Sequence, residues 1–197
     1  IFSECGAKST HLIWNLPLRP RDESIQGIRA TLSIPDAATL GVVVGNVVPN
    51  RHVELAVEAL THNAQLHLAV VGAGDKNYIA GLEELGRTIG VNDRLHFTGF
   101  VPPEDLVAYL RSADVNVISV TPDVGRNHRF GMPNKHFDGL AAGLPTVASA
   151  GTEIADFLTA HAVGVPFQDK SAEDLARAIS AATRSEEHTS ELQSRLH

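Results

Sequence analysis

Cysteine is nearly absent from this sequence of 197 residues, and long apolar runs are absent altogether. Cys5 is the one cysteine, so no disulfide bond can form within the chain and a zinc cluster is not expected. The ten histidines show no pair with metal-ligand spacing, and we therefore expect no metal site. No apolar stretch reaches the roughly 20 residues that a membrane-spanning helix needs.

Basic charge is also in short supply. The formal net charge is -7, from 16 lysines and arginines against 23 aspartates and glutamates. Because general nucleic-acid binding requires a basic surface, the composition does not support that role, and we expect no nucleic-acid partner. An acidic protein that binds phosphate must use a few placed cations together with backbone amides.

From Thr39 onward, apolar residues recur in the patterns of strands and helices. Strands are expected at Thr39–Val44, Leu66–Val71, Arg94–Phe97, Val115–Ile118, Pro145–Ala148 and Val163–Val165. Helices are expected at His52–Leu60, Ile79–Ile89, Pro103–Leu110, the segment after Pro133, Glu153–Leu158 and Leu175–Ala182. Alternation of helices with near-continuous Val/Ile/Leu strands is typical of a parallel sheet buried on both faces. The predicted fold class is therefore α/β, with about six parallel strands and helices on both faces of the sheet.

One stretch, Phe130–Ser149, combines a turn, a helix and a strand. Pro133 suits the first turn of the helix, and Gly143 is placed to end it in a left-handed cap. Asn134 and Lys135 lie at the helix entrance, where free N–H groups and the helix dipole favour an anion. The stretch is a candidate phosphate site, although a solvated helix start with a surface lysine explains it better when it is taken alone.

Further polar residues and glycines follow the other predicted strands. They are Gly45, Asn46 and Arg51, then Gly72, Ala73 and Gly74, then Thr98, Gly99, Phe100 and Val101, then Ser119 and the polar loop Thr121–Arg129. Ligands of parallel sheets bind outside the carboxyl ends of the strands, where all of these residues meet. Each alone has an ordinary explanation, and Gly72-Ala73-Gly74 lacks the third glycine of a dinucleotide fingerprint. Together with Lys135 and Asp138, they suit a diphosphate joined to a hydroxyl-bearing ring.

Five segments carry a resemblance to a known family. They are Val44–Arg51, Val71–Gly74, His96–Pro102, Leu110–Val115 and Pro133–Pro145. In their order and spacing, they make residues 39–183 resemble the C-terminal, donor-binding, Rossmann-like domain of the GT-B glycosyltransferases. The resemblance is to the retaining group called family 4, and within it to a subgroup with Pro-Asn-Lys in the loop before the helix.

The resemblance implies a site for a nucleotide-diphosphate-sugar donor, with no metal and no cofactor. Arg51 and Lys135 are the implied catalytic residues, because they take the places of the cations on the donor phosphates. The implied donor-binding residues are Gly45, Asn46, Gly72, Gly74, Phe100, Val101, Asn134 and Asp138. Among these, the Phe100–Val101 backbone faces the base, and Asp138 replaces a glutamate that binds the ribose hydroxyls.

This sequence departs from the family pattern at two acids. Phe130 stands where the family has its first glutamate, and Asp138 is one methylene shorter than the second. His128 and Arg129 are the candidates to replace the missing acid. The resemblance alone does not choose between them.

Three segments are expected along the chain. Residues 1–38 are interpreted as an interdomain linker and remnant of a missing N-terminal domain, with a short strand at His11–Trp14 and a short helix at Ile25–Leu32. Residues 39–183 form the donor-binding domain. Residues 184–197 are interpreted as an artefactual, disordered tail, because Arg184–Ser194 resembles a translated sequencing-library adapter.

The favoured function is the donor half of a retaining glycosyltransferase that is inactive on its own. Its partners would be a nucleotide sugar and, through the missing domain, an acceptor glycan or lipid-linked sugar. A cytoplasmic location is expected, with peripheral attachment to the inner face of the membrane left open. Two alternatives remain, a nucleotide-sugar epimerase of the same architecture and a non-catalytic nucleotide-binding module.

Overall fold

The computed structural model describes residues 9, 16–17, 25–168 and 170–184. Within these residues, six parallel strands form one sheet in the order β3-β2-β1-β4-β5-β6. The strands are β1 Thr39–Val44, β2 Leu66–Val71, β3 Leu95–Gly99, β4 Val115–Ile118, β5 Thr146–Ser149 and β6 Gly164–Phe167. The helices are α1 Ile28–Thr31, α2 Val53–Ala59, α3 Lys76–Thr88, α4 Pro103–Leu110, α5 Arg126–Phe130, α6 Asn134–Ala141, α7 Glu153–His161 and α8 Ala172–Arg184. The predicted Rossmann-like α/β fold is confirmed.

The sheet is buried on both faces because its strands alternate their side chains between two cores. Val43 packs on the face covered by α2, α3 and α8, whereas Val42 and Val44 pack on the face covered by α1, α4 and α6. Each face therefore needs apolar side chains, which is why β1 is a continuous apolar run rather than an alternating one.

The helix ends follow the local chemistry of the sequence. Gly143 has φ 81° and ends α6 in the left-handed region, as predicted. Pro133 immediately precedes α6 instead of lying in its first turn. Ser171 precedes α8, and its hydroxyl accepts a hydrogen bond from the Asp174 N–H at 3.1 Å.

Two segments differ from the sequence interpretation. The polar loop Thr121–Arg129 contains a 3₁₀ turn at Pro122–Val124 and the short helix α5. The predicted helix Ile25–Leu32 is shortened to α1, and its Ile28 is fully buried against the domain. The predicted strand His11–Trp14 and residues 185–197 of the predicted tail lie outside the described residues.

The part of the chain that the structure describes contains no helix that is both long and apolar enough to cross a membrane.

Candidate functional site

The carboxyl ends of β1 and β2 continue to pair beyond the strands themselves. Gly45 N–H donates to the Val71 carbonyl at 2.9 Å, and Val47 N–H donates to the Ala73 carbonyl at 3.0 Å. A Cβ built on Gly72 would lie 2.0 Å from the carbonyl oxygen of Gly45. Gly72 is therefore required by the close approach of two backbones, which leaves Gly45 and Asn46 at the open edge of the sheet.

Arg51 lies in a tight turn that is fastened to the end of β4. The turn spans Pro49–Arg51 and leads into His52, which adopts a left-handed φ of 49°. The buried Ser119 hydroxyl donates to the Arg51 carbonyl at 2.9 Å. The buried Thr121 hydroxyl bonds to His52 Nδ1 at 2.8 Å. These two contacts hold a non-glycine residue in a sparsely populated conformation, and so they fix the direction in which the turn presents Arg51.

Lys135 is the second residue of α6, and a buried asparagine holds its backbone. The Asn116 amide in β4 donates to the Lys135 carbonyl at 3.0 Å and to the Thr146 hydroxyl at 3.3 Å. Gly139 makes room for this amide, since a Cβ there would lie 2.4 Å from Asn116 Nδ2. The start of α6 is thus bonded to the centre of the sheet and not only packed on it.

Arg51 and Lys135 line the same cavity, here named the Arg51 cavity, of about 350 Å³. Its lining residues are Asn50, Arg51, Ile118, Val120, Asn127, His128, Gly131, Met132, Pro133, Lys135 and Ile154. Among the described residues, no carboxylate lines this cavity. The cavity suits a doubly charged anion, because it combines two cations with the amino end of the eight-residue helix α6.

The basic side chains of the cavity lie close together and are partly removed from water, which lowers the pKa values of two of them. Burial, and then the positive charge of Arg51, lowers the pKa of Lys135 to about 8. Burial, followed by the charges of Arg51, Lys135 and His52, lowers the pKa of His128 below its ordinary value. His128 is consequently neutral near pH 7, and its Nε2 lies 3.0 Å from Arg51 Nη1. An incoming anion would relieve the repulsion between the two cations.

A second cavity, here named the Phe100 cavity, has about 350 Å³ and lies at the ends of β1 and β2. Its lining residues are Val44, Gly45, Asn46, Val71, Gly72, Ala73, Phe100, Val101 and Leu106. The lining is largely apolar, and the Phe100 side chain is 71% exposed. An apolar cleft beside an exposed ring suits a flat, weakly polar group. The segment that follows β1 borders both cavities, so they are neighbours on one edge of the sheet.

Three of the predicted site residues line neither cavity. Gly74 pairs with Val47 and has no space for a side chain, since a Cβ would lie 2.0 Å from the Val47 carbonyl oxygen. Asn134 is exposed at the first position of α6. Asp138 lies one turn further along this helix, half-buried, and burial raises the pKa of its carboxyl group.

The structure separates the two candidates for the missing acid. Arg129 is exposed, and its guanidinium lies 5.2 Å from the ring of Phe130, which is itself exposed. His128 instead lines the Arg51 cavity. Of the two candidates, only His128 therefore lies beside Arg51 and Lys135.

Sequence reasoning missed Asn116 and Thr121, which support the two cations. Asn116 was interpreted only as part of an apolar strand, although a lone asparagine within Val115–Ile118 is a signal that a buried partner exists. Thr121 begins the predicted polar loop, and the structure buries it fully.

Comparison with protein families gives one match to most of the chain. A family model described as "Glycosyl transferases group 1" matches residues 38–185. Mannosylfructose-phosphate synthase of Agrobacterium fabrum is 29% identical over 138 residues, which are 65% of this chain and 28% of that protein. The chain spans between 28% and 40% of the lengths of the curated relatives it matches.

Solved structures show the same fold. HepE of Anabaena in complex with UDP and glucose has a TM-score of 0.68 at 20% identity, over 84% of this chain and 44% of that chain. The C-terminal domain of the glycosyl transferase group 1 protein LpcC of Francisella tularensis has a TM-score of 0.63 at 16% identity, and 88% of each chain is covered. The described domain therefore has the fold of one half of a GT-B glycosyltransferase.

Proposed function

The chain belongs to the glycosyl transferases group 1 family, and from this membership we propose that it is the donor-binding half of a retaining, family 4 glycosyltransferase. The intact enzyme moves a sugar from a nucleotide-diphosphate sugar to an acceptor hydroxyl. One observation carries the proposal: Arg51 and Lys135 line one cavity, with the amino end of α6 beside them. The Pro133-Asn134-Lys135 loop supports the further proposal that the enzyme belongs to a Pro-Asn-Lys subgroup.

In the proposed reaction, these two cations act on the leaving group. As the bond between the sugar and the diphosphate breaks, negative charge grows on the departing phosphate oxygen. Arg51 and protonated Lys135 lie in place before that charge develops, so they stabilise the transition state without reorganisation. The positive end of the α6 dipole stabilises the same negative charge.

The Phe100 cavity is the proposed position of the base. Phe100 offers an exposed ring for stacking, and the Phe100–Val101 backbone offers polar groups for the base edge. Asp138 is proposed to accept hydrogen bonds from the ribose hydroxyls. It does not line either cavity, so this assignment requires the ribose to reach α6 between them.

The acceptor, a glycan or a lipid-linked sugar, is proposed to bind to a second domain outside this chain. The enzyme is further proposed to work in the cytoplasm, at the inner face of the membrane when its acceptor is a lipid. UDP-sugars are the first donors to test, since HepE was crystallised with UDP and glucose.

The proposal is tested by calorimetric titration with nucleotide sugars, bare nucleoside diphosphates and nucleosides. We expect Lys135→Ala to weaken nucleotide-sugar binding more than about tenfold while the unfolding transition stays nearly unchanged. Lys76→Ala is the matched control, because Lys76 is an exposed lysine at the start of α3. Equal losses in the two variants would refute a diphosphate site at α6.

The two alternative functions predict different products. An epimerase converts the sugar without an acceptor, and a non-catalytic nucleotide-binding module binds bare nucleotides as tightly as nucleotide sugars. The chain alone is expected to transfer no sugar. Transfer at a normal enzymatic rate by these residues alone would contradict the donor-half assignment.

A further inference from the structure

His128 makes a direct contact with Arg51. Within the described residues, the bond between Arg51 Nη1 and His128 Nε2, at 3.0 Å, is the one hydrogen bond that the guanidinium makes. Two other hydrogen bonds hold only its backbone: its carbonyl accepts from the Ser119 hydroxyl, and its N–H donates to the Val48 carbonyl at 2.9 Å. The direction of the guanidinium within the cavity therefore depends on His128.

The chemistry of the two groups determines the protonation of the imidazole. A guanidinium only donates hydrogen bonds, so Nε2 of His128 must accept and cannot carry a proton. A neutral imidazole carries one proton, which must then lie on Nδ1. His128 Nδ1 is buried and has no hydrogen-bond partner among the described residues. A second proton, on Nε2, would point at Arg51 and would leave two cations in contact.

We propose that His128 is a positioning residue that accepts a hydrogen bond from Arg51 and aims its guanidinium at the diphosphate of the donor. This inference rests on the proposed function. A carboxylate in the same place would also orient Arg51, but it would pair with the cation and compete with the phosphates for it. The neutral imidazole orients the guanidinium and leaves its full charge for the ligand.

Two substitutions distinguish a hydrogen-bonding role of His128 from a role of its size in packing. His128→Gln keeps an acceptor oxygen near the position of Nε2, whereas His128→Leu keeps a side chain of similar size without an acceptor. His62→Leu is the matched control, because His62 is exposed in the turn that precedes β2, at the opposite edge of the sheet. The probe is inorganic pyrophosphate, which presents a diphosphate without a base, and its affinity is measured by calorimetry.

We expect His128→Leu to weaken pyrophosphate binding about tenfold, which is the loss expected for one charge-assisted hydrogen bond. His128→Gln should restore most of this affinity, and His62→Leu should bind as the wild type does. Equal losses in the glutamine and leucine variants would overturn the proposal, since the ring would then act by packing alone. Unchanged binding in His128→Leu would overturn it as well.

A second measurement keeps the inference separate from the proposed function. Nitrogen-15 NMR of the free protein reports which ring nitrogen of His128 carries the proton. We expect the tautomer protonated at Nδ1 in the wild type and its loss in Arg51→Ala. If pyrophosphate and all nucleotides fail to bind the wild type, the proposed function fails, and the tautomer still decides whether His128 positions Arg51. A proton on Nε2 in the wild type would overturn the contact itself.

Discussion

Lys135 lies in a buried position beside Arg51, and both features disfavour the charged form of its side chain. Burial and the neighbouring Arg51 lower the pKa of Lys135 to about 8, so the side chain loses its proton as the pH rises through that value. A diphosphate binds the protonated form. We therefore expect the affinity of the wild type for a nucleoside diphosphate to fall about fivefold from pH 8 to pH 9, because the charged fraction falls by that factor.

Lys135→Arg tests this expectation by calorimetry across the same range of pH. An arginine stays charged, so the affinity of the variant should be nearly flat where that of the wild type falls. Parallel curves for the two proteins would mean that another group titrates.

His136 is a buried base with no hydrogen-bond partner for either ring nitrogen among the described residues. Burial lowers its pKa from 6.5 to about 4, so the unfolded chain binds more protons than the folded chain between these values. Stability is therefore complete above pH 6.5 and is lost as the pH falls toward 4, by about 3 kcal/mol for this group alone.

We expect His136→Phe to remove this acid-sensitive part of the free energy of unfolding, measured by urea titration at several pH values. The ring already packs against Phe137 and Phe157, which suits an aromatic replacement. His62→Phe, an exposed substitution of the same kind, should leave the pH dependence as it is. An unaltered acid limb in His136→Phe would assign the loss to the other histidines whose pKa values are lowered.

At the residue scale, the sequence indicates a side chain's surroundings where its position along an element decides them. Arg51 follows β1 and Lys135 lies in the first turn of α6, and both line one cavity, whereas their roles stay predictions. The sequence does not indicate a partner that comes from another element. Nothing in the local sequence of His128 shows that its acceptor faces Arg51, which lies 77 residues away in sequence. Such pairings depend on how two loops pack, and a single sequence does not specify that packing.

At the scale of elements, α6 depends on a glycine in its interior. Gly139→Ala would place a Cβ 2.4 Å from Asn116 Nδ2, the group that bonds to the Lys135 carbonyl. We expect this variant to lower the free energy of unfolding by more than about 2 kcal/mol and to weaken diphosphate binding, because Asn116 must move. Urea unfolding and calorimetry measure the two effects.

Gly81→Ala is the control for the same substitution in another helix. Gly81 lies in α3, and a Cβ there meets no atom within 4 Å. This variant should gain about 1 kcal/mol, because alanine favours the helix over glycine. A loss of stability in both variants would contradict the role given to Asn116.

At the scale of the whole molecule, alternation of strands and helices was enough to predict the parallel sheet. The order of the strands was not predicted, because it depends on which crossovers reverse direction. The boundary of the domain at Thr39 remains a prediction, and the contacts of the preceding residues argue for an earlier start. A short helix is expected at Ile25–Leu32, but the four residues of α1 are too few to show that it packs on the domain.

Arg29 joins the segment before β1 to the body of the domain. Its side chain donates to the Pro35 carbonyl at 2.8 Å, to the Ser112 carbonyl at 3.0 Å and to the Asp114 carboxylate at 2.6 Å. The same carboxylate accepts from the first buried N–H of β1, that of Leu40, at 2.6 Å. One arginine therefore connects α1, the entry to β1 and the turn before β4.

These contacts predict that residues 25–38 are part of the folding unit. Ile28 and Ile34 are 0% and 6% exposed, and burial of an isoleucine contributes about 1.5–3 kcal/mol. A chain of residues 39–184 should therefore be less stable than a chain of residues 25–184 by roughly 3–6 kcal/mol, measured by urea unfolding. Arg29→Ala in the longer chain should produce part of this loss, because it leaves Asp114 without its cation and several carbonyls without their donor. Equal stability of the two chains would instead show that residues 25–38 are a linker, as the sequence interpretation placed them.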